Sequence, residues 1–199
     1  MPHYRLEKEH SAKLNLNRDK KKRIGEAAAN LIQSGEHVIL DTGTTPLQVA
    51  KHICADLRAA GNITVYTPSL SIFREIGACP GIRLVLLSGI YLPQYEALVG
   101  PQTVENLKDI QADKVIFGAD GITLSNGVTT ANVLEADVDS YMVQASKSVI
   151  IVADSSKVDV IGLVTLAPLD KVNTLVTDID APLDFVEAVR DLGVEVILA

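Results

Sequence analysis

The sequence predicts an α/β fold in three layers, a Rossmann-like and mostly parallel sheet with helices on both faces. Short apolar runs alternate with segments of helical periodicity along most of the 199 residues, which is typical of parallel sheets buried on both sides. Hydrophobic residues make up 47% of the chain, enough for a sizeable core. Aromatic residues make up only 4%, so we expect that core to be aliphatic.

The first predicted elements are two helices separated by a strand. Apolar residues spaced i, i+3, i+4 and i+7 from Ile24 predict an amphipathic helix over Lys20–Gln33. The apolar run at His37–Asp41 predicts a short buried strand. A helix is predicted over Pro46–Ala59, with Thr45 at its N-cap in a capping-box sequence.

The same alternation continues to the end of the chain. Further strands are predicted at Asn62–Thr67, Ile82–Ser88, Asp113–Phe117, Ser148–Ala153, Asn173–Thr177 and Val194–Leu198. Further helices are predicted at Leu70–Ile76, Pro101–Lys108, Asn132–Ser146 and Pro182–Leu192. Two interpretations stay open for Ile90–Val99, a lid over a ligand pocket and a packing segment.

Charge is distributed unevenly along the chain. The net charge is −7, yet residues 1–23 carry eight basic and three acidic side chains. The acidic remainder is a poor match for a DNA backbone, and the basic stretch contains no helix-turn-helix or zinc-finger pattern. We expect residues 1–18 to be the end of a linker, partly disordered or helical, and residues 19–199 to form the globular domain.

Small, hydroxyl-bearing or glycine residues follow five successive predicted strands. Open parallel sheets bind ligands beyond the carboxyl ends of their strands, so this repetition predicts a site for a polyhydroxylated, anionic small molecule. The five loops are Asp41–Thr45, Thr67–Ser69, Ser88–Gly89, Gly118–Gly121 and Asp154–Lys157.

Three of these positions have more than one interpretation. Asp41–Thr45 is either a phosphate-binding loop at a helix start or a capped helix without a ligand. Lys157 is either a point charge for a phosphate or a surface lysine. Glu135 is a hydroxyl-binding group, a general base, or part of a helix N-cap.

The sequence gives no sign of a metal site or an export signal. Met1–Arg23 is too polar for a secretory signal, and no apolar run reaches the roughly 18 residues that cross a bilayer. Cys54 and Cys79 form no CxxC motif and are expected to be free thiols, and no histidine lies in the five loops. We therefore expect a cytoplasmic protein without a metal or cofactor.

These motifs, in this order, resemble the C-terminal sensor domain of DeoR-family transcription regulators. The resemblance spans residues 18–199 and is carried by LDTGTT at 40–45, DKVIFGADGIT at 113–123 and ADSSKV at 153–158. The sequence departs from the family at Pro68, where an asparagine is common, and at Ser88, where a glycine is common.

The resemblance implies a non-catalytic sensor with a sugar-isomerase-like fold, forming a homodimer or homotetramer in a repressor. A phosphorylated sugar or related metabolite is the implied ligand, and it alters the operator affinity of an attached winged helix, which we expect to be absent from this chain. The implied ligand contacts are Asp41, Thr42, Gly43, Thr44, Thr45, Thr67, Ser69, Ser88, Gly89, Gly118, Asp120, Gly121, Glu135 and Lys157.

Two alternatives to this sensor stay open. One is a phosphosugar isomerase or deaminase on the same fold, with Asp120 in a loop that resembles the acidic loop of ribose-phosphate isomerases and Glu135 as a base. The other is a scaffold domain that oligomerises and has lost its ligand.

Overall fold

The computed structural model describes residues 3–4, 10–56 and 62–199. The α-helices are α1 (His10–Leu14), α2 (Arg18–Ala29), α3 (Thr44–Asp56), α4 (Leu70–Ile76), α5 (Pro101–Leu107), α6 (Val133–Gln144) and α7 (Leu183–Asp191). The strands are β1 (His3–Tyr4), β2 (His37–Leu40), β3 (Ile63–Thr67), β4 (Ile82–Leu86), β5 (Ile90–Leu92), β6 (Ala97–Val99), β7 (Ala112–Phe117), β8 (Gly121–Thr123), β9 (Gly127–Thr130), β10 (Ser146–Val152), β11 (Val160–Ile161), β12 (Val164–Ala167), β13 (Thr174–Thr177) and β14 (Glu195–Leu198). Short 3-10 turns lie at Ser155–Lys157 and Leu169–Lys171.

Seven strands form the central sheet, in the order β14-β13-β10-β7-β2-β3-β4, and every neighbouring pair is parallel. All seven correspond to strands that the sequence predicts. From β2 the chain proceeds through β3 and β4 to one edge, whereas β7, β10, β13 and β14 proceed to the other. The carboxyl ends of β2 and β7 are therefore neighbours at a topological switch point, where open α/β sheets bind ligands.

Two hydrophobic cores cover the two faces of this sheet, because consecutive residues of a strand point to opposite sides. Ile39 of β2 packs in the core that includes Met142 of α6 and residues of α5 and α7. Its neighbour Leu40 packs in the core that includes Ile24 of α2 and residues of α3 and α4. The three-layer, Rossmann-like α/β fold is therefore confirmed.

Helix α3 begins earlier than the sequence predicts. It begins at Thr44, and the amide of Leu47 donates to the carbonyl oxygen of Gly43 at 3.1 Å, so the predicted N-cap at Thr45 is wrong. Gly43 has φ +112°, which lets the chain turn from β2 into the helix within three residues. Pro46 still lies in the first turn, where its missing N–H costs no intrahelical hydrogen bond. The predicted last turn, residues 57–59, lies outside the described residues.

The segment between β4 and α5, which had two interpretations, is a β-hairpin made of β5 and β6. Ala97 and Val99 are buried in the core, whereas Ile90 is exposed. Tyr95, in the turn of the hairpin, lines the cavity that is described below. The hairpin therefore packs against the core and also contributes one side chain to the cavity wall.

Two further expectations need correction. Gly121–Thr123 and Gly127–Thr130, for which the sequence predicts no strand, pair antiparallel with each other, and β12 extends them to a three-stranded sheet. Such short strands have no hydrophobic pattern of their own and depend on this pairing.

Cys79 is disulfide-bonded, so the prediction that it is a free thiol is wrong. Over the described ranges, no helix has the length and apolar character needed to cross a membrane.

Candidate ligand-binding site

A cavity of about 340 Å³ is enclosed by the loops at the switch point, the start of α6 and the turn after β10. This volume lies within the range of small-molecule sites. Nine of the fourteen predicted site residues line the cavity. These nine are Asp41, Thr42, Gly43, Thr44, Thr45, Gly118, Asp120, Glu135 and Lys157.

The remaining five predicted residues are not among those that line the cavity. They are Thr67, Ser69, Ser88, Gly89 and Gly121. The Thr67 hydroxyl accepts from the Ser69 amide at 3.1 Å, and the Ser69 hydroxyl accepts from the Ile72 amide at 3.3 Å, which caps α4. Ser88 donates through its amide and its hydroxyl to Asn106 Oδ1, both at 2.8 Å. These hydrogen bonds stabilise local turns after β3 and β4, away from the switch point.

The N-terminus of α3 borders the cavity. Gly43, Thr44 and Thr45 all line it. The first amide groups of a helix have no acceptor within the helix, and the positive end of the helix dipole lies there. This end of the 13-residue helix is therefore suited to an anionic group.

Two lysines and one carboxylate form an ion cluster in the cavity wall. Lys13 Nζ lies 2.9 Å and Lys157 Nζ 3.7 Å from Oδ1 of Asp120. The other carboxylate oxygen of Asp120 accepts from the amide of Ala131 at 3.1 Å. Burial raises the pKa of Asp120, but the charges of Lys13 and Lys157 and these hydrogen bonds outweigh it, so the pKa lies below its ordinary value. Asp120 is therefore a counter-ion and a weak base.

A second group of carboxyls comes from β2 and α6. Asp41 and Asp139 are 6% and 3% exposed and are hydrogen-bonded to each other. Burial raises the pKa of Asp41 to about 7 and that of Asp139 well above its ordinary value. Because two buried carboxylates in contact do not both ionise, Asp139 keeps its proton and donates it to Asp41. Glu135 accepts from the Thr42 hydroxyl at 3.4 Å, so it contacts the loop after β2.

The contribution of this carboxyl pair to the free energy of unfolding is expected to fall as the pH rises from about 4 to about 7. In the unfolded chain both carboxyls release their protons near pH 4, whereas the folded state retains them to higher pH. The folded state then binds more protons across this window, so stability is lost with rising pH, by about 1.4 kcal/mol per unit of pKa difference. Asp139→Asn should flatten this slope in urea unfolding at pH 4.5, 6.0 and 7.5.

The matched control for this experiment is Asp137→Asn, an exposed position on the same helix. It should keep the slope of the unsubstituted protein. Asp120 has the opposite effect on the pH dependence, because its pKa is lowered in the folded state. Its contribution to the free energy of unfolding is lost only as the pH falls below about 4. An unchanged slope in Asp139→Asn would show that the pair does not hold a proton.

The sequence did not indicate several residues that line the cavity, among them Lys13, Asn17, Lys21 and Asp139. Asp139 carried one available signal, because it lies four residues after Glu135. Two carboxylates at this spacing share one face of a helix and repel each other. The lysines gave no comparable signal, since they are part of a basic stretch that is also typical of a solvated linker.

Comparison with known proteins identifies the family of this chain. Residues 16–179 match the family described as the DeoR C terminal sensor domain. A protein of Escherichia coli O157:H7 named as an aga operon transcriptional repressor is 31% identical over 183 residues, which cover 92% of this chain and 66% of that protein. The HTH-type transcriptional repressor GlcR of Bacillus subtilis is 33% identical over 169 residues, covering 85% of this chain and 63% of GlcR.

The chain thus spans slightly less than two thirds of the length of these relatives. Among solved structures, the ribose 5-phosphate isomerase from Plasmodium falciparum is similar, with a TM-score of 0.52 and 21% identity over 69% of this chain and 52% of the isomerase. At this identity the similarity shows a shared fold alone. The family match covers most of the chain, and the chain therefore belongs to the DeoR family, as a C-terminal sensor domain.

Proposed function

We propose that this domain binds a phosphorylated sugar or a related anionic metabolite in the cavity at the switch point, and that it does so without catalysis. One observation carries the proposal: the N-terminus of α3, Lys157 and the carboxyls of Asp41 and Glu135 line the same cavity of about 340 Å³. The helix start and the lysine suit a phosphate, and the carboxyls suit sugar hydroxyls.

In a longer regulator, this binding would control the affinity for DNA. We propose a winged helix attached ahead of residues 1–18, with those residues as its linker, in a cytoplasmic homodimer or homotetramer. The names of both relatives as repressors support a role in repression. A metabolite acts in such a protein only through different affinities for the two conformations, one that binds the operator and one that does not.

An isomerase or deaminase is the competing function, and one observation favours it. The pKa of Asp41 is raised to about 7 by burial, which is in the range of an effective general base. Incubation with ribose 5-phosphate or glucose 6-phosphate in D₂O, followed by proton NMR, tests this alternative. Deuterium incorporation at C2 that requires the protein and is lost in Asp41→Asn would establish catalysis and overturn the sensor proposal.

Thermal denaturation tests the proposed ligand class directly. A phosphosugar at one hundred times its Kd stabilises the folded state by about 2.7 kcal/mol, which corresponds to a rise in Tm of roughly 5–10 °C for a domain of this size. Each phosphosugar is paired with its unphosphorylated parent sugar, which should give a much smaller rise. A panel of phosphosugars that leaves the Tm unchanged would contradict the proposal.

A further inference from the structure

We infer that the lysine segment, Lys13–Lys21, is part of the ligand-binding site, and that an anionic ligand replaces Asp120 as the partner of Lys13. The lysine segment joins the end of α1 to the first turn of α2 and precedes every strand of the central sheet in the sequence. The inference rests on the proposed function above and adds the route by which ligand binding would act on the rest of a regulator.

The first observation is the position of the segment against the cavity. Lys13, Leu16, Asn17 and Lys21 all line it, together with the loops after β2 and β7. Lys13 Nζ reaches Asp120 at 2.9 Å, across 107 positions of sequence. Because this ion pair is part of the cavity wall, an anion bound there lies within reach of the same ammonium group.

The second observation is how the segment is fixed to the sheet. Asn17 begins α2 in the left-handed region, with φ 52°, and its Nδ2 donates to Oδ1 of the buried Asp154 at 2.8 Å. Lys20 Nζ lies 2.8 Å from Asp178 Oδ1 and 2.8 Å from the Ser155 hydroxyl. These partners follow β10 and β13, so the segment is attached to the same 3-10 turn that carries Lys157.

The third observation concerns Lys21, which is only 5% exposed although it lines the cavity. Its Nζ donates to a neutral acceptor, the carbonyl oxygen of Lys13, at 2.8 Å. Burial lowers the pKa of Lys21, the charge of Asp154 opposes this effect, and the charges of Lys157 and Lys13 add to it, so that the pKa lies at about 8. A negatively charged ligand in the cavity, in addition to Asp154, would stabilise this buried ammonium group.

These contacts give ligand binding a direct effect on the lysine segment. When Lys13 leaves Asp120 for a bound anion, the segment exchanges its ion pair with the loop after β7 for one with the ligand, while Lys21 holds the backbone of Lys13 at the cavity. In a regulator with a domain attached ahead of α1, this segment is the covalent connection between that domain and the ligand. The effect of ligand binding then reaches the attached domain through the lysine segment itself.

Isothermal titration of the whole chain with ribose 5-phosphate, glucose 6-phosphate and inorganic phosphate tests the inference. Lys13→Met and Lys21→Met keep most of the side-chain volume and remove the charge, and each should raise the Kd of the bound probe about tenfold, equal to about 1.4 kcal/mol. Lys13→Arg should restore most of the affinity. Lys22→Met, at an exposed neighbouring position on α2, should bind like the unsubstituted protein.

Two failures of this experiment are distinguishable. If the unsubstituted chain binds none of the three probes, the proposed function fails and the inference fails with it. If the unsubstituted chain binds a probe and Lys13→Met binds it equally well, the ligand site stands but the lysine segment is not part of it.

Hydrogen–deuterium exchange on the unsubstituted chain gives an independent readout that does not depend on the folding of a variant. The probe that binds in the titration should change the exchange of the amides of residues 13–21, in addition to those at the start of α3. Unchanged exchange over residues 13–21, with protection at α3, would overturn the inference.

Discussion

Gly43→Val is expected to raise the Kd for a phosphosugar by at least a hundredfold and to lower the free energy of unfolding by about 1–3 kcal/mol. Gly43 has φ +112°, a conformation that a β-branched residue does not adopt without strain. Space is not the obstacle, because a Cβ here would meet Pro46 Cδ at an ordinary 3.6 Å. The strain falls on the backbone that leads into α3, so the first amides of the helix move from their positions at the cavity.

Gly35→Val is the matched control for this experiment. Gly35 has φ +86°, a Cβ added to it would meet no atom within 4 Å, and it does not line the cavity. Its substitution should cost a similar free energy of unfolding and leave phosphosugar affinity unchanged. Urea unfolding and isothermal titration of both variants separate the two effects. Equal affinities for the Gly43 and Gly35 variants would show that the start of α3 does not bind the phosphate.

Lys157→Ala is expected to raise the Kd for a phosphosugar about thirtyfold. Hydrogen bonds between an ammonium and a phosphate are among the strong ones, worth about 1.5–3 kcal/mol. Lys157 is held for this contact by its 3-10 turn, in which the Asp154 side chain accepts from the Ser156 amide at 3.1 Å. Inorganic phosphate should lose affinity by the same factor, because the contact is to the phosphate and not to the sugar.

Lys171→Ala provides the comparison for this lysine. Lys171 is also the third residue of a 3-10 turn, but it is exposed and does not line the cavity. Its loss should leave the Kd unchanged in the same titration. If Lys157→Ala binds a phosphosugar as tightly as Lys171→Ala does, the phosphate is bound elsewhere in the cavity or not at all, and the site proposed here is wrong.

The central sheet could be predicted from the sequence because its strands are short runs of mostly apolar residues. Ile39 and Leu40 lie on opposite faces of the sheet and are both buried, so β2 is a continuous apolar run. The short strands Gly121–Thr123 and Gly127–Thr130 could not be predicted in the same way. They are three and four residues long and rich in glycine and threonine, so they form no apolar run, and only the Asn126-Gly127 turn sequence between them indicates a hairpin.

The candidate site could be predicted in part, because a sequence does not give the order of strands in a sheet. The loops after β2 and β7 meet because these strands are neighbours, although 71 residues separate Leu40 from Ala112. The loop after β3 has an equally suitable sequence, with Thr67 and Ser69, but β3 lies on the far side of β2 from β7. Lys13 was missed for the same reason, since its partner Asp120 is close only in the folded chain.

The ion cluster around Asp120 is expected to set a charge threshold for a ligand of the proposed site. Lys13 and Lys157 already contact a carboxylate, so an entering group with one negative charge gains little from them and is repelled by Asp120. A phosphate monoester carries about −1.5 to −2 charges at pH 7 and therefore competes better than a sugar acid does. We therefore expect the proposed site to select metabolites by their charge, in addition to any recognition of the sugar hydroxyls.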